Sequence, residues 1–531
     1  MAQTNFDIKH IPAEKFRFVQ ENERLHDKEL QTKPIGYFKD AWMRFKKNKA
    51  SVTAAIILMI IILYAIIVPF VSIYDIGDKD PMYKKVLPKL EIGGLKIFSG
   101  NTTMSLNDKY LPLINGIGIA AEDPNGDLAD YSWDAGRDSE FNALVSVGED
   151  TVDTQGKVNR VCVVDTYNYV GFQYLSMTPT SLEKLLKWQE ETGIQAVYPM
   201  IDIYSDECGD STDANLWYKS NAKLYPLDEN GKAMKDLATI QEKGYQPNYL
   251  RDSEGNIAYT LKRDKNTVQI RVLYARYYQY TTTEFDENGN VVKLGHLPIF
   301  TFGADGSGYD IATRMAYGLR LSLVLSLGVA TVCFIFGAFY GAIEGYYGGW
   351  TDIIMERIVD ILWRMPLYII VVLFQEHLVN TGKASVLGGL LLAFCVTGWI
   401  GTASVVRTQF YRFKNQEYIL AARTLGAGDL RLMFRHIFPN AIGTIITSSV
   451  FAIPGVITSE STFSYLGIVN FNSSTSVSLG TMMADGQAYL QYQPHILLIP
   501  AAVIAIMMIA FNLFGNGLRD AFNPSLRGAD D

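Results

Sequence analysis

The sequence predicts a polytopic α-helical membrane protein with six transmembrane helices and an α+β extracellular domain between the first and second of them. Hydrophobic residues make up 48% of the 531 residues, yet they are concentrated in blocks. Several blocks have the about 20 apolar residues that a helix needs to cross a bilayer. Between the first two blocks lies a polar, domain-sized segment that is rich in turn-forming residues.

Six apolar segments are long enough to span a membrane. The first carries no charge, and it begins too late and is too long for a cleavable signal peptide. The other five follow the polar segment and lie within residues 319–517, which we interpret as one helical core. The six candidate spans are 51–73, 319–343, 353–374, 386–406, 441–461 and 496–513.

Lysine and arginine residues beside the spans predict the orientation of the chain. Four basic residues between positions 44 and 49 precede the first span. Because cytoplasmic flanks carry an excess of such residues, we expect residues 1–50 to be a cytoplasmic tail with a basic interfacial helix. Counting the spans forward puts residues 75–305 outside the cell, and residues 407–440 and the tail 518–531 in the cytoplasm. Both termini are therefore predicted to be cytoplasmic.

The loop between the fourth and fifth spans carries the most informative pattern in the chain. From Glu417 to Asn440 it reads EYILAARTLGAGDLRLMFRHIFPN. Residues 418–425 predict a short helix, and Gly426 follows where a left-handed backbone is needed. A second short helical run is expected to end at Pro439, because proline interrupts a helix. Two short helices joined by glycine and held by two spans form a rigid part on which another protein can act.

The spacing in this loop resembles the EAA loop of ABC importer permeases, in which Glu, Ala-Ala, Gly, an apolar residue and Pro recur. The matching residues are Glu417, Ala421, Ala422, Gly426, Ile437 and Pro439. Further segments resemble the C-type subunit of dipeptide and oligopeptide permeases, so that the likeness covers residues 34–74 and 303–528. Tyr309 departs from this likeness, because the family usually has Arg there. The similar segments are 303–323, 345–360, 464–468, 479–486 and 512–528.

The resemblance implies the type I ABC importer permease fold and a transport subunit, not an enzyme, in the bacterial inner membrane. It also implies a second homologous permease, two ABC ATPase subunits that bind ATP and Mg in place of this chain, and an extracellular, lipid-anchored binding protein that delivers peptide. The residues implied to couple to the ATPase are Glu417, Tyr418, Ala421, Ala422, Arg423, Leu425, Gly426, Ala427, Arg431, Arg435 and Pro439.

Other functions stay open at this point. A permease of the same type for a nickel chelate or an oligosaccharide would carry the same loop. A membrane receptor with an external sensing domain would need a cytoplasmic output domain, and the predicted tails are too short to form one. Glu460, at the outer end of the fifth span, is a candidate for the translocation path, because ionisable groups at membrane depth are costly and often functional.

The external segment predicts an α+β domain with antiparallel hairpins. Residues 267–280 alternate enough to form a strand. A helix is predicted with Thr180 as its N-cap, Glu183 completing a capping box and Gly193 ending it. Asn-Gly or Glu-Gly pairs predict hairpin turns within 227–234, 251–260 and 285–293.

The composition of the external segment limits its partners. Its acidity argues against nucleic acid or anionic lipid and suits docking of the binding protein, while membrane lipids are expected around the spans. Cys162 and Cys208 either form one disulfide or stay as two free thiols. We expect no catalytic site and no metal site, because residues 122–130 lack the spacing of a calcium loop and His296 lacks the ligand spacing of a zinc site.

Overall fold

The computed structural model describes residues 36–92, 95–152, 158–264, 266–471 and 474–522. Helix α1 (Tyr37–Lys47) carries the basic residues expected before the first span, and helix α2 (Lys49–Val71) is that span. The side chain of Asn48 accepts a hydrogen bond from the Ser51 amide at 3.3 Å and so begins α2. The expectations for residues 1–35 and for most of the tail 518–531 lie outside the described residues.

The segment between α2 and the next membrane helix contains both strands and helices, as expected for an α+β domain. Every strand pair is antiparallel. The described strands are β1 (Lys89–Ile92), β2 (Leu95–Ser99), β3 (Asn101–Asn107), β4 (Leu144–Val152), β5 (Val158–Asp165), β6 (Phe172–Met177), β7 (Val197–Tyr198), β8 (Thr260–Lys262), β9 (Val268–Leu273), β10 (Glu284–Phe285) and β11 (Val291–Lys293). The helices are α3 (Leu111–Ala121), α4 (Pro179–Thr192), α5 (Leu237–Lys243) and α6 (Tyr274–Thr281).

The strands of this domain form two larger sheets around a common core. One sheet has the order β3-β5-β4, and the other has the order β6-β9-β7 with β8 also on β9. Helix α3 lies in the core, where all of its residues except Leu113 are buried. The indole of Trp217 is fully buried and donates to the Gly116 carbonyl at 3.0 Å. The insert therefore has a hydrophobic core of its own, as a folded domain requires.

The structure confirms the three predicted turns of the domain. Each has its glycine in the left-handed region that such turns demand, with φ of 72° at Gly231, 87° at Gly255 and 75° at Gly289. Only the third turn joins two strands, β10 and β11. The other two are closed by isolated bridges.

Two other predictions for the domain were wrong in detail. Helix α4 is capped by Thr178, whose side chain accepts from the Ser181 amide at 3.2 Å, and not by Thr180 with Glu183. The reason is the proline at position 179, which fits the first helical position. The predicted strand 267–280 ends at β9, and α6 follows because an i, i+4 pair of tyrosines is buried on one helical face.

Cys162 and Cys208 are both free thiols in the structure. Cys162 lies on β5 opposite Met104 and Val147, and its side chain is fully buried in the core. Cys208 packs against the edge of the same core. Burial raises the pKa of both thiols. Of the two alternatives for this pair, the structure has the free thiols and not the disulfide.

The remainder of the chain is a helical bundle. Its helices are α7 (Ile311–Tyr347), α8 (Gly349–Trp363), α9 (Leu367–Phe374), α10 (Val386–Thr397), α11 (Ile400–Phe413), α12 (Glu417–Thr424), α13 (Asp429–Arg431), α14 (Phe438–Val450), α15 (Ala452–Tyr465), α16 (Leu479–Gln487) and α17 (His495–Phe522).

Among the described residues, five continuous helical stretches are long and apolar enough to cross a membrane. They correspond to five of the six predicted spans. The third predicted span, 353–374, is instead broken, because α8 and the following helix meet at an angle of 74°. Pro366 lies at the break with an extended backbone, and proline disfavours a helical conformation in the residue before it. The bent pair counts as a sixth span only if both halves belong to one crossing.

Helices α7 and α11 approach each other closely along a stripe of glycines on α7. A Cβ atom at Gly341 would lie 2.2 Å from the Ala403 carbonyl oxygen, and Gly337 and Gly345 are similarly tight. Small residues spaced four apart permit such close contact between membrane helices. With 37 residues, α7 is about 55 Å long and therefore exceeds the about 30 Å hydrocarbon core. It connects the two ends of the bundle.

The domain between α2 and α7 rests on one end of the bundle. The hydroxyl groups of Ser72, after α2, and Thr313, in the first turn of α7, are 2.7 Å apart. Lys85 of the domain lies over the ring of Tyr489, which follows α16, at 4.4 Å. The loop around α12 lies at the opposite end, against the last turn of α7.

Candidate coupling site

Helix α12 ends in a hydrogen-bonded turn that accounts for much of the spacing in the loop. The Ala427 amide donates to the Ala422 carbonyl at 3.1 Å, and the Gly426 amide donates to the Arg423 carbonyl at 3.0 Å. These two bonds define a Schellman motif, in which the residue after the cap is left-handed. Gly426 has that backbone, with φ of 86°. Ala422 and Ala427 both pack against the buried apolar cluster that contains Ile419, which is the apolar contact that accompanies the motif.

The inner side of α12 is anchored in the bundle by Ile419. This side chain is fully buried in a cluster that also contains Phe410 of α11 and Ala342 of α7. Leu432 and Ile437, which follow α13, are buried in the same cluster. Since a buried Ile contributes about 1.5–3 kcal/mol relative to an exposed one, the helix is firmly held on the ends of α7 and α11.

Tyr346, at the end of α7, joins both arms of the loop. Its hydroxyl donates to the Asp429 carboxylate at 2.5 Å and accepts from the Arg423 guanidinium at 3.1 Å. Lys414, which follows α11, donates to the Gly345 carbonyl at 3.0 Å and so supplies a hydrogen-bond donor to a backbone carbonyl in the last turn of α7. Burial lowers the pKa of Lys414. The loop therefore moves with the end of α7 and not as a free segment.

A second polar cluster holds α11 to α8 beside this loop. Arg407 binds the Asp352 carboxylate with two hydrogen bonds, of 2.7 Å from Nε and 3.1 Å from Nη2. It also contacts Glu356 at 3.1 Å and Glu344 at 3.5 Å. The hydroxyl of Tyr411 donates to Asp352 at 2.7 Å.

Tyr346, Lys414 and Arg407 were not among the residues predicted from the sequence. Their signal was weak, because all three lie outside the segment Glu417 to Asn440 that carries the pattern. Arg407 follows directly after the predicted span 386–406, and no local pattern connects it to Asp352, which is 55 positions away. Asp429 lay within the loop but was not among the proposed site residues.

The expectation that the second helical run stops at Pro439 was wrong. The helix continues from Asp429 through Pro439 to Tyr465 as one long stretch. A π-helical turn over Leu432–Ile437 precedes the proline. This wider turn accommodates the missing amide, and Pro439 falls in the first turn of α14, where no amide donor is required. The second arm of the loop is therefore continuous with the fifth span.

The outward surface of the loop is apolar at its tip and basic around it. Leu425 is 88% exposed and Leu430 is 70% exposed. Arg431 and Arg435 are exposed beside them, and Ala421 presents a small side chain on the same exposed surface. Two large exposed apolar residues in a short polar loop are typical of a contact for another protein.

The remaining implied coupling residues have supporting positions in α12. Glu417 lies in the first turn of the helix, where a carboxylate is favoured by the helix dipole. The hydroxyl of Tyr418 accepts from the Asn440 amide at 3.2 Å and so connects α12 to α14. Burial raises the pKa of Tyr418.

Glu460 is buried between α7 and α15, and its place on a translocation path stays a prediction. Its carboxylate is fully buried and accepts from Ser322 of α7 at 2.8 Å and from Ser464 at 2.9 Å. Ser461 lies within 3.4 Å of the same carboxylate. The serine hydroxyls satisfy the buried charge, which the sequence pattern alone did not indicate. Within the described residues, no group of three or more His, Cys, Asp or Glu side chains could hold a metal ion.

Two family models match the chain. Residues 334–528 match the binding-protein-dependent transport system inner membrane component, and residues 36–88 match the N-terminal TM domain of oligopeptide transport permease C. An oligopeptide transport system permease protein, OppC, of Bacillus subtilis (strain 168) is 40% identical over 250 residues, which are 47% of this chain and 78% of that protein. The chain belongs to this family of inner-membrane transport components.

Other relatives have the same kind of name. A dipeptide transport system permease protein, DppC, of Bacillus subtilis (strain 168) is 39% identical over 43% of this chain and 69% of its own length. A structure of the MetNI methionine ABC transporter in inward-facing conformations covers 40% of this chain and 96% of its own, at 15% identity and a TM-score of 0.34, which is too low to carry an argument. Family membership and the apolar helices support a permease core in a multi-pass inner-membrane protein. Neither family model covers residues 89–333.

Proposed function

We propose that the chain is a permease subunit of an ATP-driven, binding-protein-dependent importer of peptides. The observation that carries this proposal is the anchored loop with an exposed tip: Ile419 and Tyr346 hold it to the bundle, while Leu425 faces outward. The peptide substrate is supported by the names of the relatives, which are oligopeptide and dipeptide permeases. A second permease would complete the pathway.

In this proposal, the chain receives mechanical work and performs no chemistry. Partner ATPase subunits would bind ATP and Mg and press on the tip formed by Leu425 and Leu430. Because Tyr346 ties the loop to α7, and the second arm is continuous with α14 and α15, motion of the tip would pass into both long helices. Rocking of these helices would alternate access between the two sides of the membrane.

Thiol labelling and cross-linking test the orientation and the docking together. In a cysteine-free background, a cysteine replacing Leu425 should resist a membrane-impermeant thiol reagent in whole cells and should cross-link to an ATPase subunit. A cysteine replacing Leu95, which is 75% exposed on β2, is the matched control and should be labelled from outside. Labelling of the Leu425 position from outside, or no adduct with an ATPase subunit, would exclude the proposal.

Transport by the reconstituted complex tests the substrate. Proteoliposomes that contain both permeases and the ATPases should take up labelled peptide only with ATP and with the binding protein. A complex that takes up a nickel chelate or an oligosaccharide and not peptide would retain the coupling mechanism but refute the substrate.

We further propose that the external domain docks the binding protein outside the cell. The chain enters and leaves the domain side by side, because the Lys89 amide donates to the Phe300 carbonyl at 3.0 Å. Replacement of residues 90–299 by a short glycine linker should therefore leave the bundle inserted. Such a variant should lose binding-protein association and uptake; undiminished binding would rule out a docking role.

A further inference from the structure

A cavity of about 520 Å³ lies beside the end of α2. It is lined by residues between 73 and 80, which follow α2, and by residues between 278 and 308. This volume falls in the range of about 300–1,000 Å³ that is usual for ligand sites. One wall is aromatic: Tyr74 stacks on Phe300 at 4.9 Å, and the His296 ring packs edge-on against Tyr74 and Tyr278. The opposite side is charged, so that the cavity combines an apolar surface with a few polar groups.

Beside one ion pair, the cavity is lined by two carboxylates and one ammonium group that form no ion pair within the described residues. Glu284 and Lys293 form an ion pair with each other at 3.2 Å. Asp78 and Asp80 also line the cavity and form no ion pair within the described part of the chain. The Asp78 carboxylate accepts from a backbone amide, and Asp80 accepts from the Tyr274 hydroxyl at 2.8 Å. Lys79 provides the remaining positive charge, and its ammonium lies over the ring of Tyr309 at 6.0 Å.

The cavity begins directly after the end of α2. Ile66 and Phe70 are exposed, at 51% and 76%, and their spacing of four residues places them on one face of α2; Ile73, which follows the helix, is 60% exposed. Ile73 also lines the cavity. A molecule whose tail lies along Ile66 and Phe70 would therefore place its polar end among the charged residues of the cavity.

We infer that this cavity binds the headgroup of a phospholipid that carries an ammonium group. The ammonium would interact with Asp78 and Asp80 and with the adjacent aromatic rings, and the phosphate would interact with Lys79. A headgroup with a phosphate and no ammonium would meet two carboxylates and one cation, and repulsion disfavours it. The bound lipid would brace the external domain against α2 at the membrane surface. The inference depends on α2 crossing the bilayer and not on which molecule is transported.

The experiment uses the purified complex with phosphatidylethanolamine and phosphatidylglycerol of matched chains in equal amounts. Lipid retained after extensive washing is measured by native mass spectrometry. Because hydrogen bonds to charged groups are the strong ones, the wild-type complex should retain phosphatidylethanolamine over phosphatidylglycerol by about tenfold. The double variant Asp78→Asn with Asp80→Asn, which removes both charges and keeps one acceptor oxygen on each side chain, should abolish this preference.

The matched control is Asp138→Asn with Asp206→Asn, because both carboxylates are exposed on the same domain and lie outside the cavity. It should retain the wild-type preference. A photoreactive amino acid at Ile73 should form an adduct with phospholipid. Equal retention of the two lipids, a preference that survives the double substitution at positions 78 and 80, or an adduct between position 73 and a second permease would each overturn the inference.

Discussion

Substitution of Leu425 by Ala should weaken docking of the ATPase without destabilising the permease. Because this side chain is 88% exposed, its truncation removes almost no packing within the chain. We therefore expect the free energy of unfolding to change by less than about 0.5 kcal/mol. If a partner covers the side chain, the lost burial amounts to about 0.8 kcal/mol for each carbon group, or about 2 kcal/mol in total. This energy corresponds to an about 30-fold weaker affinity.

The assay measures binding of the purified ATPase subunits to the permease pair in nanodiscs, alongside thermal unfolding of the same samples. Leu95→Ala is the matched control, since it makes the same change at a side chain that is 75% exposed on β2, away from the coupling loop. It should leave ATPase affinity unchanged. An unaltered ATPase affinity of Leu425→Ala would show that the tip does not contact the ATPase. An equal loss of ATPase affinity in the control would show that the effect is non-specific.

Three further substitutions test what holds the coupling site. Ile419→Ala should lower the free energy of unfolding by about 2–5 kcal/mol, because it leaves a cavity under α12, and chemical denaturation of the complex should detect this loss. Gly341→Val should prevent close packing of α7 on α11 and lower the unfolding temperature, whereas Gly401→Val, whose Cβ would have no neighbour within 4 Å, should not; equal shifts would refute the close-approach argument. Arg407→Ala should cost on the order of 2 kcal/mol in the same thermal assay because it leaves Asp352 without its charged donor, and an unchanged transition would show that the pair contributes nothing.

The local pattern of the loop was sufficient to predict the features that depend on neighbouring residues. Gly426 has the left-handed backbone that its place after a helix predicted. Five of the six predicted spans are continuous helices, because length and composition decide whether a helix can cross a bilayer. The proline at position 179 is also a local signal, and it favours Thr178 and not the predicted Thr180 as the cap.

What depends on contacts between distant residues could not be predicted. The bonds from Arg407 to Asp352 join positions 55 apart in sequence, and nothing near either residue indicates the other. The hydrogen bond from Ser322 of α7 to the buried carboxylate of Glu460 joins positions 138 apart, while a place of Glu460 on the translocation path stays a prediction. Pro439 was expected to end a helix, and the π-helical turn before it depends on how the loop packs under α12.

The loop pattern divides into residues that fix the backbone and residues that face outward. Ala422, Gly426 and Ala427 belong to the turn that ends α12, so their small size serves the geometry of the chain. Ala421 and Leu425 are exposed and make little contact within it. A loop transmits motion only if it is rigid. The first set would therefore determine how much of the loop's displacement reaches α7, and the second set would determine which ATPase subunit can bind. Substitutions in the first set should therefore impair uptake without weakening ATPase affinity. Weaker ATPase affinity with unchanged uptake would contradict this division.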